Sequence, residues 1–190
     1  MKTFSRASLR YLPAIMLLAI ISAVQADDHE HRQHGAHQHG VAQLNIVLEG
    51  DALEIELASP AMNIVGFEHK PENHQQEHQL NQAVSRLRMS EQVFTLPAAA
   101  ACVLAAAQVE SGLLEGEGAH QHQDQHVHEG HADFDADYRF TCANPAALTH
   151  VDVQLFKLFP ATEEIEVQLI SPAGQRALEL NPQSVRLQLQ

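Results

Sequence analysis

Ten of the fourteen histidines lie in two short clusters, HEHRQHGAHQHG at 29–40 and HQHQDQHVHEGH at 120–131. Neutral imidazole is the commonest protein ligand for borderline divalent metals, and zinc usually takes four nitrogen, sulfur or oxygen ligands in a tetrahedron. H-x-H spacing places both rings on the same side of an extended chain, so each cluster predicts metal binding. The predicted ligands of the clusters are His29, His31, His34, His37, His39, His120, His122, His126, His128 and His131.

The other four histidines are dispersed. His69 stands in GFEHKP, beside Glu68, and is predicted to contribute to an ordered metal site; the alternative is an ordinary surface or capping residue. His74 and His78 form an i, i+4 pair on a predicted helix, on the side away from its apolar stripe. This pair could bind a metal or simply belong to a solvated polar face. His150, before VDVQLF, is predicted to be structural.

Residues 74–78 also spell H-x-x-E-H, the pattern of a zinc metalloprotease in which two histidines bind the metal and Glu77 is the general base. A catalytic helix should lie under a substrate cleft, whereas this face is predicted to be exposed. No third ligand follows in an obvious position, and the chain is small for such a protease. We therefore expect a protein without catalytic activity and keep the protease as an alternative.

The N-terminal residues predict export, and the net charge disfavours some classes of partner. Residues 1–26 read as a signal peptide with a basic start, an apolar segment and small residues before the cut. The 190-residue chain has a formal net charge of −13, and the peptide carries Lys2, Arg6 and Arg10 and no acid, so the remainder would carry −16. Such a charge disfavours nucleic acid and anionic lipid and favours cations. We expect a periplasmic protein without stable membrane insertion after cleavage.

The two cysteines, Cys102 and Cys142, are predicted to form a disulfide because an exported protein lies in an oxidising compartment. The bridge would close a loop of about 40 residues and contribute on the order of 4 kcal/mol in a chain-entropy model. Reduced thiols in the core and a two-cysteine metal site are the alternatives.

The hydrophobic pattern predicts a β-dominated α+β fold with antiparallel pairing, about eight strands and one main amphipathic helix. The helix covers about 72–90 with Leu80, Ala83, Val84 and Leu87 on its apolar side, and 60–73 is a connecting loop. A histidine-rich mobile leader at 27–40 precedes a single domain at 41–190 with a mobile loop at about 115–132. The predicted strands cover 41–50, 51–60, 101–110, 133–142, 149–160, 163–170, 174–180 and 184–190, with the last three forming a terminal meander.

Two long segments resemble the ZrgA-type family of zinc-regulated periplasmic proteins. They are AHQHGVAQLNIVLEGDALEIELASPAMNIVGFEHKP and YRFTCANPAALTHVDVQLFKLFPATEEIEVQLISPAGQ, and SPAMNIVGFEH and LFKLFP are the more specific parts. The resemblance implies a zinc-binding protein that assists an inner-membrane ABC-type importer. It also implies roles for His37 and His39 in the leading H-x-H-G, for His69 in the FEH element, and for the paired cysteines. His74 and His78 lie outside the pattern.

Together these patterns predict a periplasmic protein that captures Zn²⁺ through its histidine clusters and assists its import. The main alternative is a periplasmic buffer or detoxification protein for zinc, copper or nickel, since imidazole affinity does not rank Cu²⁺ or Ni²⁺ below Zn²⁺. Metal competes with protons for imidazole, whose ordinary pKa is about 6.5, so capture should weaken as the pH falls through that value.

Overall fold

The computed structural model describes residues 38–114 and 132–189. Its nine strands, in chain order, are β1 (Val41–Glu49), β2 (Ala52–Pro60), β3 (Phe94–Thr95), β4 (Cys102–Ser111), β5 (Asp133–Cys142), β6 (His150–Val153), β7 (Glu164–Ser171), β8 (Gly174–Leu180) and β9 (Arg186–Gln188). The α-helices are α1 (Ala61–Ile64), α2 (His74–Arg88), α3 (Ser90–Val93) and α4 (Leu155–Leu158). Within these ranges no helix has the length and apolar character needed to cross a bilayer. The α+β class and its single long helix are confirmed.

The strands form two sheets. The larger has six strands in the order β4-β5-β2-β1-β7-β8, and the smaller has three in the order β3-β6-β9. The prediction of antiparallel pairing is wrong at one junction, because β1 and β7 are parallel, from Val41 opposite Glu164 to Val47 opposite Ile170. The long connection through α2 and the second sheet returns the chain to the start of β1, so β7 runs beside it in the same direction.

The β1–β2 hairpin forms where the sequence predicts it. Gly50 adopts φ +61° in the turn, a conformation that glycine takes without steric cost. Alternate residues of both strands point into the core, and in register Leu44 faces Leu57 and Ile46 faces Ile55, all four buried. Burying each such side chain stabilises the fold by about 1.5–3 kcal/mol. The hairpin is therefore a central part of the core.

Helix α2 covers the inner face of the larger sheet. Asn73 caps it, because its side-chain oxygen accepts hydrogen bonds from the backbone N–H groups of Gln75 and Gln76, both at 3.1 Å. The predicted stripe is confirmed, since Leu80, Ala83, Val84 and Leu87 are all buried. The rest of the helix surface is polar, and both of its histidines are exposed.

Strand β4 forms an edge of the larger sheet and is bridged to β5. Cys102 lies directly opposite Cys142 in the β4–β5 ladder, and the two form the predicted disulfide. The strand predicted at 101–110 is therefore confirmed. Ala105 is an extra residue in the ladder, a β-bulge, and Val103 and Leu104 remain exposed.

Three predictions about connections are wrong. Residues 149–160 do not form one strand: β6 ends at Val153 and α4 follows, because the buried Leu155, Phe156 and Phe159 follow helical rather than alternating spacing. The loop predicted at 60–73 contains the short helix α1. The terminal meander stops at β8, because β9 pairs with β6 in the smaller sheet.

Candidate metal centre

His69 is held in a fixed orientation just after α1. Its ring stacks on Phe67 with centroids 5.3 Å apart and an interplanar angle of 30°, and Phe67 is buried. Nδ1 of His69 lies 3.0 Å from the carbonyl oxygen of Lys70. A carbonyl can only accept, so Nδ1 must carry the proton and the neutral ring presents the lone pair of Nε2. Half of the side chain is exposed, so the ring can be reached from solvent.

His39 is fixed in a similar way by the residue next to His69. Its Nε2 lies 2.9 Å from Oε1 of Glu68, and both side chains are partly exposed. The ionised carboxylate accepts this hydrogen bond, so the neutral ring presents the lone pair of Nδ1. Metal-binding histidines commonly donate their other ring N–H to a carboxylate or a backbone carbonyl, which sets the tautomer and raises the basicity of the ligand. His39 and His69 show the two versions of this arrangement.

The position of His39 depends on Asn63, a buried polar residue of α1. Its Oδ1 accepts a 2.7 Å hydrogen bond from the backbone N–H of Gly40, and its Nδ2 donates to the carbonyl of Val41 at 3.0 Å and to Oγ of Ser59 at 3.3 Å. The end of the leader is therefore tied to the same helix whose C-terminal side leads to His69. This role could not be predicted from the sequence, because one asparagine in an apolar stretch has no recognisable spacing.

Gly40 completes the attachment of this segment. Its carbonyl accepts hydrogen bonds from the backbone N–H groups of Glu163 at 2.7 Å and Glu164 at 3.0 Å. It has φ +88°, and a Cβ built there would lie 3.5 Å from the carboxyl carbon of Glu163. Glycine is required at this position, because another side chain would be strained. These contacts hold His39 beside the first residues of β1 and β7.

The other predicted ligands are distributed as follows. His74 and His78 lie exposed on the first turns of α2, and Nδ1 of His74 donates a 2.9 Å hydrogen bond to Oε2 of Glu77. His150 is partly buried, with Nδ1 at 2.9 Å from Oγ1 of Thr149 and Nε2 at 4.0 Å from Oδ2 of Asp152. The remaining predicted ligands lie outside the described residues, namely His29, His31, His34, His37, His120, His122, His126, His128 and His131.

The described residues supply part of a coordination sphere. Across 38–114 and 132–189, no group of three or more His, Cys, Asp or Glu side chains is arranged to hold a metal ion. The candidate ligands in this part of the chain are the two imidazoles of His39 and His69, and Glu68 contacts His39 and precedes His69 in the sequence. Zinc takes four ligands, and water or further side chains would supply the rest.

The outer face of the larger sheet carries many carboxylates and is called the acidic face below. Cross-strand pairing places them on one side of β4, β5, β2, β7 and β8, with β1 between β2 and β7. Its members are Glu54, Glu56, Glu110, Asp135, Asp137, Glu166 and Glu179. Arg139 is among them and pairs with Glu54 at 2.8 Å. A surface with this excess of negative charge raises the local concentration of cations.

The fold and the candidate centre together describe a small β-rich protein that presents fixed imidazoles to solvent. The family model of the ZrgA family zinc uptake proteins matches residues 36–189, and the chain belongs to this family. The match includes His39, Glu68, His69 and both cysteines, which confirms the family resemblance. No curated protein sequence matches the chain. Membership implies a role in zinc uptake and is consistent with a binding rather than a catalytic protein.

Proposed function

We propose that this protein captures Zn²⁺ in the periplasm and assists its import by an inner-membrane ABC-type transporter, without catalytic activity. Family membership supports zinc uptake. The N-terminal sequence supports export, and the disulfide Cys102–Cys142 suits an oxidising compartment. Zinc is the cargo, and the acidic face attracts it towards the protein.

One observation carries the proposal. His39 and His69 each have one ring nitrogen fixed by an acceptor, Glu68 Oε1 and Lys70 O respectively, so each presents its other nitrogen to solvent in a fixed tautomer. We infer that these two imidazoles form the ordered part of the zinc site, with Glu68 either orienting His39 or joining as an oxygen ligand. The histidine clusters at 29–37 and 120–131 act as the capture sites that raise the supply of metal to this centre.

The geometry of the H-x-x-E-H stretch on α2 supports the proposal of a protein without catalytic activity. In the H-x-x-E-H stretch, the carboxylate of Glu77 receives a hydrogen bond from His74, and all three side chains are exposed on one helix. A general base must face the water that it activates beside a bound substrate. Casein incubated with the zinc-loaded protein should therefore stay intact, and cleavage that Glu77→Gln abolishes would establish the protease instead.

Zinc titration by calorimetry, on oxidised protein beginning at residue 27, tests the binding site. We expect a tight phase of low stoichiometry and a weaker phase of several ions. His69→Ala and His39→Ala should each weaken the tight phase by about 10- to 100-fold, the cost of losing a ligand or its orienting contact. Gln38→Ala is the matched control, because it truncates the exposed neighbour of His39 and leaves both imidazoles in place.

Deletion of 120–131 separates carrier from buffer. A carrier keeps its tight phase in the deletion variant and loses only weak binding. A buffer loses most of its stoichiometry and shows no tight phase that depends on His69. Titrations with Cu²⁺ and Ni²⁺ alongside Zn²⁺ would show whether the tight phase distinguishes these metals.

A further inference from the structure

The first turns of α2 carry another pair of imidazoles, which the proposed centre does not use. His74 and His78 are four residues apart, so their side chains project from one face of the helix. Both are exposed, and the side chain of His74 is fully so. The spacing brings two ring nitrogens within reach of one ion.

The tautomer of His74 is fixed. Its Nδ1 donates a 2.9 Å hydrogen bond to Oε2 of Glu77. In the neutral ring Nε2 is therefore the unprotonated nitrogen, and it lies on the side of the ring away from Glu77. A carboxylate that accepts from one imidazole nitrogen makes the other a better metal ligand. Glu77 is therefore placed to act as a positioning residue for His74.

The helix backbone holds this arrangement in place. Asn73 caps the first turn through the N–H groups of Gln75 and Gln76, and Leu80 anchors the next turn in the core. The separation of His74 from His78 is therefore set before any ion arrives, and binding has to order only the rings. The positive end of the helix dipole opposes a cation at this terminus, so the pair should bind more weakly than a closed four-ligand site.

We propose that His74 and His78 form a two-imidazole site for a borderline divalent cation, with Glu77 orienting His74 and water completing the coordination. His74 is five positions after His69, so the two places lie within about 18 Å by chain reach. Zinc held at this pair is therefore close to the centre at His39 and His69. The pair does not depend on that centre for its ligands.

Zinc titration of the intact oxidised protein, followed by the imidazole ¹⁵N resonances of each histidine, tests this site. We expect the ¹⁵N resonances of His74 and His78 to shift together, with the same zinc concentration at the midpoint of both titrations. Zinc should bind Nε2 of His74. Glu77→Gln should raise that midpoint by about 10- to 100-fold and remove the single tautomer of His74 in the metal-free protein. The resonances of His39 and His69 report separately, so failure at one centre is distinguishable from failure at the other.

The matched control keeps the composition and breaks the spacing. His78→Gln combined with Gln79→His moves one imidazole by about 100° around the helix. We expect the midpoint for His74 to rise at least about tenfold, because the two rings no longer share an ion. An unchanged midpoint in this variant, different midpoints for His74 and His78 in the unmodified protein, or no shift of either ring would each overturn the proposal.

Discussion

The phenol of Tyr138 donates a 2.6 Å hydrogen bond to the backbone carbonyl of Leu87, which ties strand β5 to the end of helix α2 across the core. Both residues are buried, and Phe94 contacts the Tyr138 ring edge to face at 5.1 Å. This bond joins the sheet to the helix that carries His74 and His78. Its loss would leave a buried carbonyl without this donor.

Tyr138→Phe should therefore lower the free energy of unfolding by about 1–3 kcal/mol, the cost of leaving a buried polar group unpaired. Chemical denaturation at neutral pH, followed by circular dichroism, measures the change. The chain has no tryptophan and two tyrosines, Tyr11 and Tyr138, so Tyr138 is the only tyrosine in protein prepared from residue 27 onward. A variant as stable as the unmodified protein would show that the hydrogen bond contributes nothing net.

Tyr138 should also make the stability of the fold depend on pH in the alkaline range. Burial, and next the negative charge of Asp137, raise the pKa of Tyr138 well above its ordinary value of about 10. A group whose pKa is higher in the folded state stabilises the fold below its unfolded pKa, and this contribution is lost as the pH rises past that value. We expect phenolate absorbance to appear only together with unfolding. Ionisation near the ordinary pKa with the fold intact would contradict this.

The free energy of unfolding should also change at acidic pH because of Asp152. This residue pairs with Arg186 across β6 and β9 through contacts of 2.6 and 2.8 Å. The Arg186 hydrogen bond lowers the pKa of Asp152, opposed by partial burial and assisted by nearby positive charge. A carboxyl group whose pKa is lower in the folded state stabilises the fold at pH values above its unfolded pKa of about 3.9. This contribution is lost as the pH falls through the folded pKa. Asp152→Asn should therefore be slightly less stable than the unmodified protein at neutral pH, and the two should converge in acid. A constant difference across this range would argue against the ion pair as the cause.

Asn63→Ala should affect both stability and zinc binding. It removes the acceptor for the buried N–H of Gly40, which should cost about 1–3 kcal/mol of unfolding free energy. Because the same contact positions His39, the tight zinc phase should weaken while weak binding by the clusters stays unchanged. Calorimetry below the unfolding temperature of the variant measures this. The centre would not depend on Asn63 if stability fell and the tight phase kept its affinity.

Reduction of the Cys102–Cys142 bridge should destabilise the protein by about 4 kcal/mol, because the bridge closes a loop of 40 residues in the unfolded chain. Thermal unfolding with and without reductant measures the effect, and the Cys102→Ser, Cys142→Ser double variant controls for effects of the reductant elsewhere. The double variant should match the reduced protein. Equal stability of oxidised and reduced protein would mean that the unfolded chain gains little freedom on reduction.

Local patterns predicted most of the elements, because alternation and helical spacing each require only a few consecutive residues. The hairpin, α2 and the buried row from Phe134 to Phe140 are of this kind. Pairing between distant segments was not predictable, since nothing near β1 or β7 indicates that they run parallel. The candidate centre was half predictable: His39 and His69 stood out by type, but the contact of His39 with Glu68 depends on Asn63 and Gly40, which only the tertiary structure brings together.

The parallel pairing of β1 with β7 also constrains the order of folding. The first strand of the described chain completes its hydrogen bonding only when a strand that begins at Glu164 arrives beside it. In a chain that crosses a membrane from its N-terminus, β1 and β2 emerge early and keep an unpaired edge until nearly the whole polypeptide has followed. Contacts of such long sequence separation fold slowly. The imidazole of His39, which sits on the turn between the leader and β1, would therefore reach its final position among the last parts of the molecule.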